Sequence, residues 1–222
     1  MKFLYRADAG SVSIVLEGDD HRYVSRVRRF RVGDIVPSRN MADDTLYLYS
    51  IDSSGRRETH LTLVESRYEK ITARRKLHLG WCIIEPKQIE KVLPTLNETG
   101  VEKITFIRCD RSQKNFTPDM RRLEKILINS SQQCGRSTLM RLGICDSLEE
   151  FFSSYPESAV VDFSDTPLSC GDGIETIVVG CEGGFSSDER ELFSQRDIYG
   201  FDTSSILRSE SAVVAVASRL LL

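Results

Sequence analysis

The sequence predicts a two-part α/β protein: a small β-barrel over residues 1–70 and an α/β domain with a mostly parallel sheet over residues 71–222. Three observations predict it. The first seventy residues break into short β-favouring segments separated by turn signals. From Leu77 onward, apolar strand-like runs alternate with amphipathic helical runs, the pattern of a parallel sheet covered by helices. Near the end, a β-branched run stops at Gly180-Cys181-Glu182-Gly183-Gly184, and a Ser/Asp/Glu cluster then opens a helix.

In chain order, strands are expected at residues 13–16, 34–37, 45–50 and 60–64, between Gly-Asp, Asn-Met-Ala-Asp-Asp and Ser-Ser-Gly turns. Residues 21–29 predict a short helix, with Val24 and Val27 three apart. Residues 69–76 are highly charged and read as a linker or an edge. Residues 77–84 predict a buried strand. Residues 87–99 place Ile89, Val92, Leu93 and Leu96 at helical spacing, and Gly100 supplies a stop. A strand at 101–107 follows. Pro118 opens a helix through residue 133 with Leu123, Ile126, Leu127 and Ser130 on one face, and Gly135 ends it. A short helix at 148–152 precedes strands at 159–163 and 176–180. Residues 187–195 predict a helix capped by Ser186 or Ser187, with Glu189 in its first turn. Residues 209–222 predict the last helix.

A hydrophobic fraction of 40% and a charged fraction of 28% allow a sizeable core in an ordinary globular protein. No stretch approaches the ~18 apolar residues of a membrane span. Arg6 and Asp8 come too early for a signal-peptide apolar region, so a cytoplasmic location is expected. Six cysteines at 82, 109, 134, 145, 170 and 181 show no CxxC spacing. With His21, His60 and His78 scattered, no metal site is expected, and the cysteines read as small buried hydrophobes.

The net charge of −3 divides unevenly: residues 1–76 carry +4 and residues 77–222 carry −7. Arg22, Arg26, Arg28, Arg29 and Arg31 fall within ten residues. Guanidinium forks suit phosphate oxygens, so this cluster points to a polyanion. A solvated surface paired to Asp19, Asp20 and Asp34 is the alternative.

Four further stretches carry possible chemistry. The glycine run is a tight strand-to-helix turn or a ligand loop; it has neither the Lys-Ser/Thr of a phosphate loop nor GxGxxG spacing. Ile206-Leu207-Arg208-Ser209-Glu210 sets an Arg and a Glu between apolar runs, either as a structural pair or cap or as reacting groups. Gln132-Gln133-Cys134-Gly135-Arg136 is a helix C-terminus or a base and phosphate contact. Arg108, Arg111 and Lys114 follow the second strand of the sheet, where open α/β sheets place ligands. No GxSxG or triad signature accompanies the histidines.

Together these stretches are more specific than any one of them. Gly180-Cys181-Glu182-Gly183-Gly184-Phe185-Ser186 with Glu189, followed by Ile206-Leu207-Arg208-Ser209-Glu210-Ser211-Ala212, resembles the GPEGGFS..E and LG..ILR.ETA motifs of the bacterial 16S ribosomal RNA uracil-N3 methyltransferases, in the SPOUT superfamily. The resemblance covers nearly the whole chain. Glu98-Thr99-Gly100-Val101 resembles the family's ELGV, Gln132-Gln133 with Arg136 its EQ..R, and Val27-Arg28-Arg29 with Gly33-Asp34 its VLR...GD. The sequence departs from the pattern at Cys181, where the family has Pro, and at Asp202-Thr203, where it has Leu-Gly.

The resemblance implies a PUA-like RNA-binding barrel at the N-terminus and a SPOUT α/β domain with a trefoil knot, acting as a homodimer. It implies S-adenosyl-L-methionine held by Val179, Gly180, Glu182, Gly183, Gly184, Thr203, Ile206 and Leu207. Arg208 and Glu210 become the catalytic candidates: Arg208 beside a uracil oxygen to favour the N3 anion, Glu210 to orient it or act as base. Arg22, Arg26, Arg28, Arg29, Arg31, Arg111, Gln133 and Arg136 become the contacts to 16S ribosomal RNA of the 30S subunit. Two alternatives keep the fold: a non-catalytic RNA-binding assembly factor, and a SPOUT methyltransferase with another RNA target. A nucleotide- or phosphate-binding α/β enzyme is the more distant one.

Overall fold

The computed structural model describes residues 2–113, 115–169 and 173–222; Lys114 and Cys170 lie outside them. The chain forms two compact units, Met1–Thr72 with Ile128–Leu139, and Ala73–Leu127 with Met140–Leu222.

The first unit is a barrel-like mixed sheet in the order β1-β3-β4-β5-β2, formed by β1 (Leu4–Tyr5), β2 (Ser13–Glu17), β3 (Ile35–Arg39), β4 (Thr45–Ser54) and β5 (Glu58–Tyr68). Among its described strand pairs, β1–β3 is parallel and the others are antiparallel. Alternation does the work in β2, where Ile14 and Leu16 point inward and Ser13, Val15 and Glu17 outward. Leu4, Val24, Val36, Tyr49, Ile51 and Leu61 complete that buried cluster. β4 and β5 are longer than expected because two register shifts, at Leu48/Tyr49 and Ile51/Ser53, let the pair curl without breaking. The expected helix at 21–29 is instead α1 (Gly18–Arg22) running into a π-helical turn, Tyr23–Val27. There the Arg28 N–H reaches five residues back to the Tyr23 carbonyl at 2.9 Å.

A distant segment finishes this unit. Gln132 accepts the Lys2 N–H on its carbonyl at 2.7 Å and the Tyr5 N–H on its side-chain oxygen at 2.8 Å. The Ser137 hydroxyl donates to Asp44 at 2.6 Å and accepts the Ile71 N–H at 3.0 Å.

The second unit holds a six-stranded, all-parallel sheet in the order β11-β9-β10-β6-β7-β8. Its strands are β6 (His78–Cys82), β7 (Lys103–Ile107), β8 (Arg141–Cys145), β9 (Ala159–Val161), β10 (Thr176–Val179) and β11 (Ile198–Tyr199). Its helices are α2 (Pro86–Thr99), α3 (Met120–Cys134, whose last turns belong to the first unit), α4 (Leu148–Ser154), α5 (Ser187–Glu191) and α6 (Ser209–Leu221). β6 is buried at every residue, as a central parallel strand requires. α2 begins with Pro86 in its first turn and buries Ile89, Leu93 and Leu96. Gly100, at φ 101°, ends it, with the Val101 N–H closing on the Leu96 carbonyl at 3.1 Å. α5 is shorter than expected: after Glu191 the chain turns by i→i+3 bonds from Leu192 and Phe193. No helix among the described residues is long and apolar enough to cross a membrane.

From β6 the chain steps through β7 and β8 to one edge, while β9, β10 and β11 lie on the other side of β6. The strand order therefore reverses between β6 and β10. Such a reversal opens a crevice at the carboxyl ends of the strands, where open α/β sheets bind ligands.

Candidate active site

Three loops meet at those carboxyl ends: residues 180–186 after β10, residues 108–112 after β7, and residues 202–208 before α6. Ser209, the first residue of α6, joins two of them to the sheet. Its hydroxyl donates to the Gly180 carbonyl at 2.5 Å and accepts the Trp81 Nε1–H at 2.9 Å. Trp81 is fully buried and Ser209 is 4% exposed, so these polar atoms have each other rather than water. The sequence singled out the glycine run and the ILR run; it missed Trp81, and it read Ser209 as a cap rather than as the joint between them.

The glycine turn is built for close approach. Gly184 has φ +66°, which a side chain rarely tolerates, and its N–H closes on the Cys181 carbonyl at 2.9 Å. A Cβ on Gly180 would lie 3.1 Å from the Phe185 ring, and one on Gly183 would lie 3.2 Å from Arg111 Cβ. Cys181 has taken over a structural duty at the position where the resembled motif has Pro. Its thiol is buried and points to the Gly184 carbonyl at 3.5 Å, and burial pushes its pKa up, so it stays a neutral donor. Ser186 caps α5 in a complete capping box: its hydroxyl accepts the Glu189 N–H at 3.1 Å, and the buried Glu189 carboxylate accepts the Ser186 N–H at 2.8 Å.

The other wall is exposed. Arg208 precedes α6, and its side chain is 82% exposed with Nη1 4.0 Å from Glu210 Oε1, at the edge of ion-pair range. Glu210 is mostly covered, at 17% side-chain exposure. Ile206 is 82% exposed, and Leu207 lies beside it. Thr203, at the family's Gly position, keeps a negative φ, yet its N–H donates to the Phe201 carbonyl at 2.9 Å. Ser209 links the stretch that carries Val179, Gly180, Glu182, Gly183 and Gly184 to the stretch that carries Thr203, Ile206, Leu207, Arg208 and Glu210.

Cys82, at the end of β6, and Cys109, just after β7, form a disulfide with Cα atoms 5.8 Å apart. Both are buried, as the reading of the cysteines as small buried hydrophobes expects, but that reading did not include the link between them. In-register parallel pairing sets Cys82 beside Ile107, so Cys109 comes within reach two residues later. Cys145 and Cys181 remain buried free thiols.

The predicted RNA contacts separate into groups. In the first unit Arg22 and Arg26 line a cavity of about 520 Å³ with Arg56, Arg57, Glu17, Glu58 and the buried His21. His21 bonds Thr59 at 2.8 Å. Arg22 is paired with Asp19, whereas Arg26, Arg56 and Arg57 make no ion pair among the described residues. Arg28 lies 5.6 Å from the Phe30 ring centre, and Arg29 and Arg31 are exposed on the loop that follows. Gln133 is exposed and Arg136 is buried. Arg111, in the second unit, points elsewhere: its Nη1 donates to the Gly183 carbonyl at 2.7 Å.

Residues 72–221 match the RNA methyltransferase domain family. A Helicobacter pylori protein named ribosomal RNA small subunit methyltransferase E is 38% identical over 98% of both chains. A protein of the same name from Buchnera aphidicola is 25% identical, covering 92% of this chain and 86% of its own. The crystal structure of ribosomal RNA small subunit methyltransferase E from Neisseria gonorrhoeae bound to S-adenosyl methionine shares the fold, with a TM-score of 0.81 at 18% identity over 98% of this chain and 95% of that one.

Proposed function

Because the chain belongs to the RNA methyltransferase domain family, we propose that it methylates uridine N3 in small-subunit ribosomal RNA with S-adenosyl-L-methionine as donor. The observation that carries this reading is the Ser209 bridge, which ties the glycine turn and the ILR loop to β6 at the strand-order reversal.

The residues suit the donor. The turn is backbone-rich, with no side chain of its own at Gly180, Gly183 or Gly184, and Ile206 and Leu207 offer apolar surface for a flat ring. S-adenosyl-L-methionine would supply a methyl group on a positively charged sulfur. The chain's part is to position and to manage one proton. Neutral uracil N3 must lose its proton before it attacks, and a guanidinium beside O2 or O4 favours the anion. Arg208 is free to swing into that role, and Glu210 is near enough to orient it or to take the N3 proton through a water. Holding N3 in line with the methyl carbon supplies much of the rate.

The same proposal includes a knotted chain end around residues 176–209, a homodimer that covers the exposed Phe163 and Ile206, and a cytoplasmic site of action. The first unit takes the RNA backbone: Arg26, Arg56 and Arg57 offer unpaired charge in one cavity, and Arg28, Arg29 and Arg31 add a second patch.

The test is to incubate the protein and labelled S-adenosyl-L-methionine with 30S subunits from a strain lacking the enzyme, then identify the product nucleoside by mass spectrometry. The expected product is 3-methyluridine, lost with Arg208→Ala. Another methylated nucleoside, or none, would reject this reading. One observation favours the non-catalytic alternative: the Thr203 N–H is spent on Phe201. Calorimetry decides between them, since a non-catalytic factor with a degenerate pocket would show no donor binding.

A further inference from the structure

The loop after β7 was expected to contact RNA, yet its bonds go to the glycine turn. Arg111 Nη1 donates to the Gly183 carbonyl at 2.7 Å, and the Arg111 stem lies against Gly183, where a Cβ would crowd it at 3.2 Å. The Asp110 N–H donates to Glu189 Oε1 at 3.0 Å, and Asp110 Oδ2 accepts the Ser186 hydroxyl at 2.6 Å. Glu189 is 6% exposed, and its other oxygen is taken by the Ser186 N–H. At the root of the loop, Cys109 is tied to Cys82.

We infer that Asp110 and Arg111, acting with Glu189, are positioning residues that hold the far end of the glycine turn in its donor-binding shape. The near end at Gly180 is fixed by Ser209 and Trp81. Between these anchors lie Cys181 to Ser186, a stretch with no strand or helix of its own. Backbone in such a turn keeps one shape only if bonds from outside it over-determine that shape. Arg111 is suited to the task because a charged donor gives a stronger bond to a carbonyl than a neutral one. This inference rests on the turn being the donor site, and it moves Arg111 from substrate docking to pocket shape.

The two roles differ in what they perturb. Arg111→Ala in the full chain is expected to weaken S-adenosyl-L-methionine binding about tenfold by calorimetry without RNA. It is expected to raise the donor KM about as much, leaving the RNA KM, the salt slope of RNA affinity and the melting temperature unchanged. Arg111→Lys, which can still reach the carbonyl with one N–H, is expected to recover most of the loss. Asp110→Ala, which frees the Ser186 hydroxyl, is expected to weaken donor binding in the same sense. Unchanged donor binding in Arg111→Ala with a shallower RNA salt slope would overturn the inference and restore Arg111 to RNA contact. Absence of donor binding by the unaltered protein would instead overturn the donor reading itself, and this inference with it.

Discussion

Ser209→Ala removes one oxygen and two hydrogen bonds from a dry place. The Trp81 Nε1–H would then sit on a fully buried ring with no acceptor. Leaving such a donor unsatisfied costs about 1–3 kcal/mol. The Gly180 carbonyl would lose the 2.5 Å hydroxyl contact, a net loss of about 0.5–1.5 kcal/mol because Gly180 is only half-buried. Together these give about 3 kcal/mol, which for a protein of this size lowers the melting temperature by roughly 6–12 °C. The donor pocket should suffer too, since Gly180 begins the glycine turn: about tenfold weaker binding of S-adenosyl-L-methionine is expected. Thermal unfolding followed by circular dichroism, with calorimetry on the same samples, reads both quantities. Trp81→Phe removes the orphaned N–H at the expense of some packing, so the double variant should be less destabilised than the two single losses added, by about 1–2 kcal/mol. Melting within about 1 °C of the unaltered protein, together with unchanged donor affinity, would refute the bridge as the joint of the site.

Other consequences follow from the same structure. His78 is buried against Phe151 and Tyr155 and bonds Thr105 at 2.8 Å; burial, aided by the charges of Lys103 and Arg141, lowers its pKa to about 4. The unfolded chain, with a pKa near 6.5, binds the proton first, so this contribution is complete above about pH 6.5 and lost as pH falls towards 4, amounting to about 2–3 kcal/mol. Urea unfolding between pH 7 and pH 4.5 should show that loss, and His78→Gln should flatten it. Arg26→Glu and Arg56→Glu should each weaken RNA binding regardless of sequence and reduce the salt slope by roughly 0.7–0.9 per lost phosphate contact; unchanged slopes would move the interface off this cavity. Cys181, buried and with a raised pKa, should resist iodoacetamide in the native protein at pH 7.5 and react on unfolding, as mass spectrometry of the labelled peptide can show.

Much of the second unit was legible because its signals are local. The Ile89, Leu93 and Leu96 spacing and Gly100 mark α2 and its stop, and Ser186 with Glu189 mark the capping box. β1 and β11 escaped notice because two-residue strands carry no periodicity, and β8 because Arg141 and Gly143 interrupt its apolar pattern. The glycine turn and the ILR run stood out by composition, but their joint did not. A serine at position 209 reads as a cap, and only the folded chain shows its hydroxyl between Gly180 and Trp81, which lie 29 and 128 residues before it in sequence. The bond from Arg111 to Gly183 was hidden for the same reason. A basic residue after a strand suggests an anion, while the carbonyl it meets, on Gly183, carries no sequence signal at all.

The first unit has a seam that matters while the chain is being made. Its strands end by Tyr68, but the segment that accepts the Lys2 and Tyr5 amides and binds Asp44 through Ser137 begins only at Ile128. At a synthesis rate of about 5–20 residues per second, the barrel waits roughly 3–12 seconds for its closing piece. In that interval the β1 edge is an open ladder, available to any neighbouring strand. Early translation is thus a period in which that edge is uncovered. A fragment cut at Thr72 would be frozen in it, an unfinished unit rather than a domain.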